Sequence, residues 1–227
     1  MQVIIEPIFD ILYLCTVLFL GVRMLCSARQ TEHRLFGLAA VVLGCGDAFH
    51  LLPRVYALLS GGLGTQTTAL GIGKCITSIS MTIFYVLLFQ IWCLRYQANR
   101  SKILTCSVFL LAGGRIILCL LPQNEWTSAN APLLPALLRN LPFTLLGLLI
   151  LLLFLFQGRL NDDYVYRWLW LAVALSFACY LPVVLFSGRY PTVGILMIPK
   201  TLCYVWIVFM GRRDMRSSEQ KKREKRI

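Results

Sequence analysis

Eight charged side chains sit inside apolar runs of this chain. The run LGCGDAFHLLPRVY holds Asp47, His50 and Arg54. They stand at i, i+3 and i+7, so an α-helix displays all three on one stripe. Pro53 removes a ladder hydrogen bond beside them, which frees a backbone carbonyl to face a cavity. The run MIPKTLCYVW carries Lys200, with Tyr204 one turn further along. Lys74, Ser78, Met81 and Tyr85 share another stripe, as do Glu6, Asp10 and Tyr13. Arg115, Arg139 beside Asn140, and Ser176 with Tyr180 complete the set. An ionisable group within the hydrocarbon costs about 2.5–3.5 kcal/mol or more, so each is a candidate for a functional site. Arg54, Lys74, Arg115, Arg139 and Lys200 against Glu6, Asp10 and Asp47 leave an excess of two positive charges. In a low dielectric that excess favours an anionic ligand. The candidate binding residues are therefore Asp47, His50, Arg54, Lys74, Tyr85, Arg115, Arg139, Lys200 and Tyr204. A purely structural account competes with this one. Arg54, Lys74 and Arg139 lie near enough to a boundary to snorkel, and Asp47 with Lys200 could form an ion pair locking two helices.

The elements that must position these residues are long apolar helices. Of 227 residues 58% are hydrophobic, too many for a soluble surface. They fall into seven blocks, at 4–26, 35–59, 71–94, 103–121, 133–157, 166–187 and 191–210. Each suffices for a spanning helix of about 20 residues. The expected fold is all-α: one seven-transmembrane-helix bundle over 1–211, followed by a basic tail over 212–227. No Lys or Arg precedes Arg23 and no small-residue cleavage site follows the first block, so it reads as a retained helix. Along Leu35–Leu59, Asp47 then falls roughly 18 Å from one boundary, and Lys200 roughly 14 Å from the other, at similar depth.

The net charge of +12 has a topological explanation. Sixteen basic residues flank the first, third and fifth connections or lie in the tail, against Arg189 alone in the alternate connections. By the positive-inside rule this predicts an outside N-terminus and a cytoplasmic C-terminus, in a cell membrane of the bacterial inner type. The tail RRDMRSSEQKKREKRI reads as an anchor drawn to anionic headgroups. It has neither interleaved aromatics nor an attached domain, which argues against nucleic acid as a partner. The nine cysteines are odd in number, without a CxxC, and absent from the predicted outer loops. They behave as small hydrophobes. With only His33 and His50, neither a zinc site nor any other cofactor is indicated. The sequon Asn99-Arg100-Ser101 falls on the predicted cytoplasmic side, where it is inert.

Short internal matches suggest a parallel 3+1+3 duplication. Thr82-Ile83-Phe84-Tyr85-Val86 pairs with Thr201-Leu202-Cys203-Tyr204-Val205. Leu52-Pro53 pairs with Leu181-Pro182, and Gly21…Arg23 with Gly158-Arg159. At GCGDAFHLLPR and MIPKTLCYVW the chain resembles an uncharacterised family of small bacterial seven-helix membrane proteins, a resemblance that implies the fold and no activity. Lys200 with Tyr180-x-Pro182 resembles rhodopsins, implying a retinal site; yet 71–94 has no Asp or Glu to serve as counterion, and Asp47 would have to replace it. Gly46-Asp47 resembles the lysoplasmalogenase-like membrane hydrolases, but the later His and any nucleophilic serine motif are missing. The repeat and the prolines resemble alternating-access transporters of small solutes, without the PQ dipeptide of one such family. The charges favour a fourth reading: a non-enzymatic binding or sensory protein whose basic cavity, in the outer half of the bundle, takes an anionic membrane lipid or small anion. With such short connections, a sensor of this kind would work through a partner protein or a second copy.

Overall fold

A computed structural model describes residues 2–60, 62–97, 101–128, 131–186 and 190–224. Asn99 and Arg100 of the sequon, Arg189 and the last three residues lie outside the described residues. Seven α-helices run in sequence: α1 (Gln2–Ser27), α2 (Thr31–Ser60), α3 (Thr67–Arg95), α4 (Lys102–Leu120), α5 (Leu133–Leu160), α6 (Leu169–Phe186) and α7 (Met197–Glu224). Short 3₁₀ pieces occupy Leu63–Gln66, Pro122–Asn124, Tyr166–Trp168 and Pro191–Leu196, and no strand occurs among the described residues. All seven helices are long and apolar enough to cross a membrane. Large apolar side chains also point outward, among them Ile103 (79% exposed), Leu110 (72%) and Leu59 (68%). This fits a multi-pass membrane protein, because water would penalise so wide an apolar surface while lipid does not.

Consecutive helices are antiparallel, as their short connections require. The near end of the bundle is taken here as the one at which odd-numbered helices begin, and the far end as the one at which they finish. Lipid gives little hydrophobic drive for helix pairing, so close backbone approach carries the packing. Between α2 and α3 a methyl group on Gly73 would meet the Phe49 carbonyl oxygen at 2.3 Å, and one on Gly46 would meet Ser80 Oγ at 1.8 Å. Thr77 Oγ1 donates to the Gly46 carbonyl across the same seam (2.9 Å). Phe49 is four residues before Pro53, so the carbonyl freed by that proline abuts α3 instead of opening onto a cavity.

The two ends of the last helix depart furthest from the sequence expectation. The sequence puts the last helix at 191–210, whereas residues 191–196 are 3₁₀ and α7 starts at Met197. Pro199 thus falls in the first turn, where its missing N–H breaks no ladder bond, and Lys200 is the fourth residue of the helix. At its other end α7 continues through the basic stretch to Glu224. Lys, Arg, Glu and Gln are good helix formers, and basic charge complements a helix C-terminus.

Candidate functional site

All seven helices send a polar side chain to the middle of the bundle. From α1, Tyr13 donates its hydroxyl to Asp47 Oδ2 on α2 (2.5 Å). From α6, Tyr180 donates to Asn140 Oδ1 on α5 (2.7 Å). Lys200 of α7 is 9% exposed, and its Nζ lies 4.8 Å from the Tyr180 ring centroid and 5.5 Å from that of Tyr204. Arg115 of α4 is 2% exposed, with Cζ 3.3 Å from the centroid of Phe143 on α5. Tyr85 of α3 meets the same Phe143 edge-on at 5.1 Å, and Phe84 lies edge-on to both Tyr85 and Tyr204, at 5.6 and 5.8 Å. A cage of aromatic rings thus holds two cations.

The cage leaves Arg115 short of acceptors. Its Nε and Nη1 are buried without a well-formed hydrogen bond, and its nearest polar side chain is the Cys119 thiol; the Tyr85, Tyr204 and Ser176 hydroxyls lie against one another. No carboxylate lies within 4.0 Å of Arg115 or Lys200 among the described residues. The Asp47–Lys200 ion pair of the structural reading is therefore not formed at that distance; Asp47 is engaged by Tyr13, and Lys200 by two ring faces. Burying a guanidinium normally requires a counter-charge or full hydrogen bonding. Here ring quadrupoles supply part of that compensation. The arrangement can accept negative charge: two cations, two hydroxyls and an apolar wall that strengthens their field.

Of the nine candidate residues, Asp47, Tyr85, Arg115, Lys200 and Tyr204 converge on this centre. The other four have separate surroundings. Arg54 Nε pairs with Glu6 Oε1 at 2.5 Å, clamping α2 to α1. His50 Nδ1 lies 3.2 Å from the Leu70 carbonyl oxygen, which ties α2 to α3. Lys74 is exposed. Arg139 donates to Asn124 Oδ1 (2.7 Å) and covers the Trp126 ring at 4.1 Å, stapling the α4–α5 connection to α5.

A second polar cluster, at the far end, escaped the sequence reading. Arg95 ends α3 and bonds Asp163 through Nε (2.9 Å) and Nη2 (3.3 Å). Its Nη1 also bonds Asp214 of α7 (3.2 Å) and lies 3.6 Å from Glu32 of α2. His33 Nε2 lies 2.8 Å from the same Asp214 oxygen, Oδ2. Asp163, in the α5–α6 connection, further accepts from the Tyr96 hydroxyl (3.1 Å) and from the backbone N–H groups of Val165 and Tyr166 (3.0 and 3.1 Å). Burial alone would push the Asp163 carboxyl up, but the Arg95 bonds and these backbone bonds outweigh it and hold it below the usual range. Burial first, and then the Asp163 charge, pushes the Tyr96 hydroxyl well up. The signal available in sequence was Asp214, the one acid among the first basic residues after Gly211. As for metals, no three His, Cys, Asp or Glu side chains come together among the described residues in a way that could hold one.

No family model, curated protein or solved structure matches this chain. Its function has to be read from the chemistry of these sites.

Proposed function

We propose that this chain is a multi-pass membrane protein that binds a small anion, or the anionic headgroup of a lipid, at the centre of its bundle, without catalysing a reaction. Arg115 carries the reading: a buried guanidinium with two unpartnered nitrogens and no carboxylate within 4.0 Å. Such a group is stable in lipid when something else supplies the negative charge. Lys200 is the second cation, Tyr85 and Ser176 supply hydroxyls, and Asp47, held by Tyr13, offsets one of the two positive charges. The basic far-end connections and α7 extension support a cytoplasmic C-terminus, as in the bacterial inner membrane.

The test is a titration of the purified full chain, followed by calorimetry, with inorganic phosphate, sulfate and a short-chain phosphatidic acid. Saturable binding of at least one is expected, weakened at least tenfold in Arg115→Met and in Lys200→Met. Unchanged binding in both variants would overturn the reading, as would the absence of binding by any probe. A small-solute transporter is a second reading, favoured by the Arg95 network that closes the far end across α2, α3 and α7. Flux of the bound anion into sealed proteoliposomes separates the two: a binder gives none.

A further inference from the structure

The far end carries a basic concavity that the central site does not use. Along α7, Phe209, Arg212, Arg213, Arg216 and Gln220 recur at i, i+3, i+4, i+7 and i+11, one stripe of the helix. With Ser217 and with Leu20 of α1 they line a cavity of about 450 Å³. Higher on the same helix, this stripe presents Leu202 (52% exposed), Trp206 (38%) and Phe209 (49%), the apolar surface that lipid chains cover. The chemistry changes from aromatic to cationic within one turn, at Arg212. That is where a bilayer changes from acyl chain to phosphate.

A basic collar alone would explain exposed arginines, which any boundary collects. Arg212 is different. It is 6% exposed, and its Nε and Nη1 are buried with no hydrogen-bond partner. Arg213 and Arg216 flank it, both exposed, and one ring face of Tyr164 lies 5.1 Å from Arg213 Cζ. A guanidinium withdrawn from solvent, with idle donors, with Arg23 and Arg216 near it and Glu219 as a partial counter-charge, suits a multiply charged acceptor. A phosphate group supplies one through bidentate N–H···O bonds.

We propose that this cavity is a discrete binding site for the phosphate of an anionic phospholipid: Arg212 donates from within, Arg213 and Arg216 close over the headgroup, and an acyl chain follows Phe209, Trp206 and Leu202. Ser217 and Gln220 offer further hydrogen bonds to headgroup oxygens. The site stands apart from the central one, so neither reading depends on the other.

Native mass spectrometry of the full chain, titrated with phosphatidic acid, phosphatidylglycerol and phosphatidylcholine of identical acyl chains, tests the proposal. Retention of one anionic lipid is expected at concentrations where phosphatidylcholine is shed. Arg212→Gln should weaken it at least tenfold, and so should Arg213→Gln with Arg216→Gln, two exposed positions whose loss leaves the fold intact. Lys102→Gln with Arg159→Gln removes the same charge elsewhere at the far end and should leave retention within twofold of the parent. Arg115→Met should also leave it unchanged. Equal loss in the control pair would reduce the site to a diffuse collar and overturn the proposal. Millimolar inorganic phosphate binding in place of the lipid, with the same arginine dependence, would overturn it in favour of a free anion.

Discussion

Replacing Arg115 with methionine should stabilise the ligand-free protein while removing its response to anions. The magnitude follows from the surroundings of the guanidinium. Nε and Nη1 are buried without partners, and an unsatisfied buried donor costs roughly 1–3 kcal/mol. Against this stands the contact with Phe143 at 3.3 Å, worth about 2 kcal/mol when desolvated. Methionine has similar length, fills irregular space and keeps a favourable contact with the ring. The net is a gain of roughly 2 kcal/mol, in line with measured replacements of buried charges by apolar groups of similar volume. At about 2–4 °C per kcal/mol for a chain of this size, the thermal midpoint in detergent should rise by roughly 4–8 °C. The parent protein should in turn gain about 2.7 kcal/mol when an anion is present at a hundred times its dissociation constant, and the variant nothing. The assay is intrinsic tryptophan fluorescence during heating, with and without phosphate. A midpoint that falls in Arg115→Met without anion would refute the reasoning, because Arg115 would then be a structural element already satisfied by its surroundings.

The far-end network predicts the opposite response. Arg95→Met removes the guanidinium shared by Glu32, Asp163 and Asp214, and should cost about 3–5 kcal/mol; adding Asp214→Asn should recover part of that loss by removing a stranded charge, and a double variant less stable than Arg95→Met would refute the network. The pH limb follows from Asp163, whose carboxyl is held below its ordinary value in the folded chain. Its contribution is present above an unfolded value of about 3.9 and is lost as pH falls through the lower folded value. Asp163→Asn should therefore flatten acid denaturation below about pH 4, read as the thermal midpoint against pH, and an unchanged acid limb would count against it.

Legibility tracked where the chemistry of a residue conflicts with its surroundings. The seven helices were readable because apolar runs of 19 to 32 residues leave the backbone one solution in lipid. Arg115 stood out for the same reason, since no boundary explains a charge at mid-helix, whereas Lys200 falls in the first turn of α7, a start that the apolar run did not mark. Periodicity alone could not tell that His50 and Arg54, on one stripe with Asp47, would serve the α1–α2–α3 seams. A stripe of i, i+3 and i+7 covers one face, but a face in a seven-helix bundle touches two neighbours at different depths. Arg139 misled similarly, because its partners Asn124 and Trp126 belong to a connection whose path no local pattern dictates. The Arg95 network was hidden by the positive-inside count, which treats every boundary cation as an orientation signal and ignores the acids among them.

The two charge systems then divide the labour of the bundle by how completely they are satisfied. At the far end Asp163 accepts from Arg95, Tyr96 and two backbone amides, which makes this carboxylate rigid, while Glu32 Oε1 beside it makes no hydrogen bond. At the centre Arg115 keeps two guanidinium nitrogens without a well-formed hydrogen bond. A bundle optimised for stability alone is better served by an apolar side chain at this position than by a guanidinium. An unsatisfied cation beside a second one, inside a cage of ring faces, is the pattern expected of a site that takes an anion.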